Sequence, residues 1–283
     1  MVREGVQFVS ACLYVVATPI GHLGDMTARA IETLRGVDLV AAEDTRHSAN
    51  LLRHFDIATP LVSYHDHSDD SDLRKLVAQL ESGASLALIS DAGTPLVSDP
   101  GYRLVAACHS LGIPVVPIPG PSAPIAALSA SGLPTDRFHF EGFLPAKSGQ
   151  RLTRLEALQM LETTLIFFES PKRLLASLAD MLAVLGDREA ALCRELTKAH
   201  ETVRRHPLST LHAFVEQDAN QQRGEVVLIV GGADARVREI APETVKLLKR
   251  LAVELPPRRA AAVVAEVSGA RARDLYQLLL SED

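Results

Sequence analysis

Three short apolar runs, each ending in a turn rich in glycine and proline, constrain this chain most. They are residues 13–24 (LYVVATPIGHLG), 86–101 (LALISDAGTPLVSDPG) and 115–123 (VVPIPGPSA). Continuous Val, Ile and Leu over a few residues is the pattern of a parallel strand buried on both faces. In open sheets of such strands, ligands sit beyond the carboxyl ends. Glycine and proline there let backbone N–H and C=O groups come close to a small molecule. Three such turns in the first half predict one cofactor pocket built largely from main chain.

The rest of the first half supports a parallel α/β sheet, because strands alternate with helices. Strands are expected at 10–17, 38–42, 61–64, 86–89 and 115–118, and helices at 27–34, 48–55, 69–82 and 101–110. Thr27 is placed to cap its helix. The 69–82 helix puts Leu73, Leu76, Val77 and Leu80 on one face and ends at Gly83. A second unit has expected strands at 138–143, 164–168, 190–194 and 225–230, with helices near 150–162, 171–185 and 208–216. Gly231 and Gly232 stop it. Three more helices follow at 242–254, 258–268 and 271–280, broken at Pro256–Pro257 and at Gly269. Two short helices around one glycine fit either a helix-turn-helix or a helical cap on the second unit. The expected domains are 1–122, 123–235 and 236–283.

Charge bounds the partners. The net charge of −6 argues against a protein that coats nucleic acid over its whole surface, but it permits a local basic face. Residues 236–283 carry 9 Lys and Arg against 7 acids, whereas the first 99 carry 7 against 14. Three cysteines, Cys12, Cys108 and Cys193, form no C-x-x-C pair, which fits a reducing compartment. No signal-peptide pattern and no apolar run of about 18 residues is present, so a cytoplasmic protein without a membrane span is expected.

Residues 18–27 (TPIGHLGDMT) match neither G-x-G-x-x-G nor a P-loop, which argues against a dinucleotide site and an ATPase. Asp25 there either caps the next helix or faces the pocket. Residues 91–101 (DAGTPLVSDPG) hold two Asp, two Gly and two Pro, more special residues than an ordinary turn needs, together with Thr94. Gly93 and Thr94 can offer backbone donors to a carboxylate. Asp91 and Asp99 either orient a cationic substrate or fold back on backbone N–H groups. Ser122 in PGPS is either an N-cap or a ligand contact, and it is not part of a G-x-S-x-G elbow. Glu43, Asp44 and Arg46 follow a strand, and His65 and His67 flank Asp66. An H-x-H pair without a third ligand suits a base or substrate anchor better than a metal. Lys147, Arg151 and Arg154 form a basic stretch that is either a phosphate contact or a solvated face. FFESPK at 167–172 and ELTKAHE at 195–201 follow later strands and are placed to line a cleft opposite the first half.

Taken together, ATPIGHLGDMT, AEDTR, SYHDHS, LISDAGTPLVSDPG, PIPGPSA, FFESPKR, CRELTKAHE and GEVVLIVGG resemble, in this order, the tetrapyrrole (corrin/porphyrin) methylase superfamily, and within it the branch that methylates small-subunit ribosomal RNA. The resemblance covers about residues 13–232, and the PPRRAAAVVAEVSG segment is similar to that branch's C-terminal helical domain. It implies an α/β fold of two domains with a cofactor cleft between them and a small C-terminal helical domain. It also implies S-adenosylmethionine as cofactor, 2′-O-methylation of a cytidine ribose in the decoding region of 16S rRNA within the 30S subunit, and a homodimer. The cofactor-lining residues it implies are Pro19, Ser90, Asp91, Thr94, Pro95, Ser122, Phe168, Leu196, Thr197 and Val226. Asp44, Arg46 and His65, with Lys147 near the phosphate, are the expected catalytic residues, and the chemistry needs no metal. The rival readings are methylation of a tetrapyrrole or other small anionic substrate, and a non-enzymatic RNA-binding module.

Overall fold

The computed structural model describes residues 11–65, 70–234, 242–270 and 272–280. The chain forms two compact units that divide at Gly231 and Gly232, with Met160–Glu162 joining the second. The first unit holds two five-stranded sheets.

The first sheet is built from β1 (Leu13–Val16), β2 (Leu39–Ala42), β3 (Leu61–Ser63), β4 (Leu86–Ile89) and β5 (Val115–Ile118). All are parallel, in the order β3-β2-β4-β1-β5. Successive side chains point to opposite faces, and both faces are covered. Tyr14, Val16, Val40, Ala42, Ala87 and Ile89 meet α1 (Ala28–Gly36) and α2 (Thr45–His54). Leu13, Leu39, Ala41, Leu86 and Leu88 meet α3 (Asp70–Glu81) and α4 (Tyr102–Ser110). This is why these strands read as unbroken apolar runs. Thr27 caps α1, its hydroxyl accepting from the Ala30 N–H at 3.1 Å. Asp25 lies in the preceding 3-10 turn and is not the cap.

After α5 (Ala123–Ala130), the second sheet takes β6 (Phe138–Phe143), β7 (Thr164–Glu169), β8 (Glu189–Arg194), β9 (Thr202–Pro207) and β10 (Val226–Val230), in the order β6-β7-β10-β8-β9. Only β6 and β7 run parallel; the other pairs are antiparallel. Ala127 and Leu128 of α5 pack on Ile166, Ala191, Cys193, Val227 and Ile229. The helices α6 (Ser148–Leu158), α7 (Leu174–Leu185) and α8 (Leu208–Gln217) pack in succession. β9 escapes the sequence reading because TVRRHP is an edge strand with four exposed residues and no apolar run.

The basic stretch near α6 is corrected by the structure. Arg151 is 4% exposed, so it is not a solvated or phosphate-facing cation. Its Nε donates to Asp180 Oδ2 at 2.6 Å, and Nη1 donates to the carbonyls of Pro145 and Ala146. A buried guanidinium needs such a set of acceptors. Arg154 is likewise spent on Glu141, to which it donates twice, at 2.5 and 2.7 Å.

The second unit packs α9 (Pro242–Glu254), α10 (Pro257–Ser268) and α11 (Ala272–Leu280) around Leu248, Ala260, Ala261, Val264 and Leu275. Gly269 ends α10 at φ +70°, a left-handed C-terminal stop. No helix of the described residues is long and apolar enough to cross a membrane.

Candidate active site

The connections leaving β1 and β4 run in opposite directions across the sheet, so a crevice opens at their carboxyl ends. The turns there are stitched together by backbone. Thr18 N–H donates to the Gly93 carbonyl at 2.9 Å, and Gly93 N–H returns a bond to the Thr18 carbonyl at 3.1 Å. Gly93 has φ +80°, and a Cβ there would stand 3.3 Å from Ile20 Cγ2. Thr94 Oγ1 donates to the Pro121 carbonyl at 3.0 Å, which ties in the third turn. Beyond Thr94 the loop carries two left-handed non-glycine residues, Leu96 (φ +71°) and Ser98 (φ +64°). Strain of this kind collects where a loop must hold one shape for a ligand.

The second sheet closes the opposite side. His22 N–H donates to Thr197 Oγ1 at 3.1 Å, joining the turn after β1 to the loop after β8. Lys198 Nζ lies 3.0 Å from both Glu195 Oε1 and Glu225 Oε2. Between the two sheets is a cavity of ≈ 390 Å³, lined on one side by Ile20, Ala92, Ser98, Asp99 and Ala123. On the other side are Phe143, Phe168, Glu169, Leu196, Glu225, Val226 and Val227. The volume suits a small organic ligand.

Asp99 is the electrostatic focus of the wall. Burial pushes its carboxyl up to about 6; the Ser90 hydroxyl acts against this, and the charges of Glu43 and Asp91 add to it. Glu169 is saturated by Ser170 N–H, the Ser177 hydroxyl and Arg173, so it is a structural carboxylate. Cys193 also faces the cavity, but burial pushes its thiol up to about 12, which leaves it no nucleophile at neutral pH.

Of the residues expected to hold cofactor, Phe168, Leu196 and Val226 line the cavity. Ser90, Thr94 and Thr197 lie behind it and hold its loops: the Ser90 carbonyl accepts from Thr18, and Thr94 and Thr197 bond as above. Pro19, Pro95 and Asp91 stand in the same loops, Asp91 Oδ1 accepting from the Asp44 N–H at 3.1 Å. Ser122 occupies the N-cap position of α5, but its side chain makes no capping bond. Asp99, Ala123 and Val227 are wall residues outside the expected set. Asp99 carried a signal, an acid inside a loop too constrained for an ordinary turn. Ala123 and Val227 carried none, since an apolar wall residue reads like any core residue.

The four expected catalytic residues lie away from the wall. Asp44 caps α2, accepting from the Arg46 N–H at 2.8 Å and the His47 N–H at 3.2 Å. The bonds from His47 and Arg46 hold its carboxyl below the usual range. The Arg46 side chain is exposed beside it. His65 Nε2 is 2.7 Å from the Ser63 hydroxyl, just past β3. Lys147 is exposed at the N-cap of α6. Asp66 and His67 lie outside the described residues.

Comparison with known proteins identifies the fold. Residues 12–212 match the family model described as Tetrapyrrole (Corrin/Porphyrin) Methylases. The solved uroporphyrin-III C-methyltransferase of Thermus thermophilus superposes with a TM-score of 0.56 at 21% identity, over 78% of this chain and 94% of that one. A diphthine synthase superposes with a TM-score of 0.58 at 15% identity, over 78% and 90%. Ribosomal RNA small subunit methyltransferase I of Pseudomonas aeruginosa is 54% identical over 95% of this chain and 96% of its own length, and that of Escherichia coli O157:H7 is 51% identical over 95% of each. The chain belongs to the ribosomal RNA small subunit methyltransferase I family. The family's own C-terminal helix-turn-helix model matches residues 238–283, which favours the helix-turn-helix over a cap.

A member of this family is an S-adenosylmethionine-dependent methyltransferase, and the cavity fits that cofactor. Ile20, Leu196, Val226 and Val227 offer apolar walls to a flat nucleoside. Asp99 and Glu225 offer carboxylates to a sulfonium and an ammonium, and Ser122, whose hydroxyl makes no capping bond, precedes the wall residue Ala123. Among the described residues, no group of His, Cys, Asp and Glu is arranged to hold a metal ion.

Proposed function

We propose that this chain methylates the 2′-hydroxyl of a cytidine ribose in the decoding region of 16S rRNA, acting on the assembled 30S subunit as a cytoplasmic homodimer. The observation that carries the reading is the near-full-length similarity to ribosomal RNA small subunit methyltransferase I, C-terminal helix-turn-helix included. When bound between the sheets, the cofactor would supply a methyl group carried on a sulfonium, an electrophilic carbon for the ribose 2′-oxygen with a neutral thioether as leaving group, and the hydroxyl proton would have to pass to a group of this chain or to water.

The chain's residues then have three tasks. The stitched turns and the apolar wall fix the donor, so positioning supplies much of the rate. Asp99 stabilises the cation before transfer. A group at the tips of β2 and β3 takes the proton or steadies the forming alkoxide. Asp44 and His65 stand at those tips with Arg46. The depressed pKa of Asp44 suits a fixed negative charge that orients Arg46, which leaves His65 as the base. Lys147 holds a phosphate of the bound strand. The test is transfer of labelled methyl groups to 30S subunits and to free 16S rRNA, followed by mapping of the modified nucleotide. The reading requires one 2′-O-methylated cytidine in the decoding region. Label on a base, or elsewhere in the RNA, overturns it. Light scattering tests the dimer.

A further inference from the structure

Phe143 is the last residue of β6, an edge strand, and it is 56% exposed. A single exposed phenylalanine is ordinary on a protein surface. Phe138, at the other end of the same strand, is 45% exposed and lies outside the cavity wall. Phe143 differs in three respects. It forms part of the cavity wall. Its ring leans on Phe168, with centroids 5.4 Å apart, and Phe168 in turn meets Phe140 edge-on at 5.2 Å. The third difference is the way the backbone aims it.

The register of β6 against β7 shifts between Phe140 and Gly142, so Glu141 is an inserted bulge residue. Bulges of this kind turn a side chain out of its regular alternation. The bulge is pinned on both sides. Glu141 accepts two bonds from Arg154 and lies 3.0 Å from His139 Nε2. Gly142 takes φ +75°, and a Cβ there would stand 3.0 Å from Ser98 Oγ. The loop that carries Asp99 therefore packs directly on the bulge that presents Phe143.

We propose that Phe143 is the stacking platform for the base of the nucleotide being methylated, positioning its ribose at the cavity mouth. The proposal rests on the ribosomal RNA reading above. A pyrimidine laid on the exposed ring face would add a stacked ring to an aromatic cluster in which Phe168 braces Phe143 at 56° and meets Phe140 edge-on at 77°. Its ribose would then lie over the cavity that holds the donor. Aromatic rings are the usual platforms for an unpaired base, and each stacked base is worth enough to be measurable. Phe143 would be a positioning residue, since the chemistry occurs one sugar away.

The experiment compares the full chain with F143L, F143A, F143Y and F143W. It measures KM and kcat for methyl transfer to 30S subunits lacking the modification, the Kd for S-adenosylmethionine by calorimetry, and mass by light scattering. F143A and F143L are expected to raise KM about ten- to hundred-fold, from the usual strength of one base stack. The cofactor Kd, to which Phe143 can contribute as a wall residue, is expected to move by no more than about three-fold, far less than KM, and the mass stays as in the parent. F143Y and F143W are expected to recover KM to within about three-fold, which a purely apolar contact would not require. Parental kinetics in F143L would overturn the proposal, because leucine retains the apolar area and lacks the ring. A cofactor Kd that weakens in step with activity would make Phe143 a cofactor contact, and a drop in mass would make it an interface residue. Failure of the parent chain to methylate any subunit would instead remove the ribosomal RNA reading and this proposal with it.

Discussion

Thr197 and His22 are 175 positions apart in sequence, yet the His22 N–H donates to Thr197 Oγ1 at 3.1 Å. The bond joins the turn after the first strand of one sheet to the loop after the third strand of the other. It is exposed, so water can replace it when lost, and its net value is about 1 kcal/mol. T197A is therefore expected to weaken S-adenosylmethionine binding by about five-fold with little change in Tm, while T197S keeps parental affinity. Calorimetry with both variants checks this, and equal affinities for T197A and the parent would show that the latch does not shape the site.

Gly142 lets the bulge of β6 and the loop of Ser98 approach each other. Alanine there would adopt φ +75° and stand 3.0 Å from Ser98 Oγ. The backbone cost alone is about 1–2 kcal/mol. Thermal unfolding of G142A should shift down by roughly 2–8 °C for a unit of this size. G149A is the control. Gly149 lies in α6 with nothing within 4 Å of an added Cβ, and alanine there is expected to leave Tm unchanged or raise it slightly.

Asp99 is expected to make cofactor binding pH-dependent. Its folded pKa of about 6 lies above the unfolded 3.8, so the ionised form is the disfavoured one in the folded chain. The destabilisation is absent below the unfolded value, grows as pH rises through about 6, and is constant above. After allowance for solvent screening it amounts to about 1–2 kcal/mol. D99N should then be more stable than the parent at pH 8 and no more stable at pH 4. A bound sulfonium favours the carboxylate, so the parent's affinity should rise from pH 5 to pH 7 and release protons. D99N should bind weakly with no such slope. Calorimetry in buffers of different ionisation enthalpy reads the proton release directly, and an equal slope in both proteins would remove Asp99 from the account.

Alanine replacements of Asp44, Arg46, His65 and Lys147 should differ in kind. Loss of a general base lowers kcat by about 10²- to 10⁴-fold. H65A is expected in that range with little change in KM. K147A should raise KM for 30S subunits and reduce the salt dependence of binding by about one phosphate contact, leaving kcat near parental. A small uniform loss in all four would leave the proton without an acceptor in this set.

The sheet that forms the floor of the site was legible because its strands are buried on both faces and end in turns of unusual composition. What could not be read was whatever depends on a distant partner. Arg151 read as either a phosphate contact or a solvated cation because nothing near it in sequence announces Asp180, 29 positions away, as its partner. β9 was missed because an edge strand can be polar on both faces. Ser122 read as either a helix cap or a ligand contact; it holds the cap position without a capping bond, because whether the hydroxyl caps depends on a side-chain torsion that sequence does not specify. Thr94 and Thr197, expected as cofactor contacts, have hydroxyls that tie loops together, a use that appears only once the two sheets face each other.

The most direct measurement is a crystal structure of the full chain with S-adenosylhomocysteine, the spent cofactor. The account requires the ligand between the sheets, its nucleoside against Leu196, Val226 and Val227 and its sulfur beside Asp99. A ligand held elsewhere, such as the shallow recess of Ala28, Ile31 and Arg35 on α1, would contradict it.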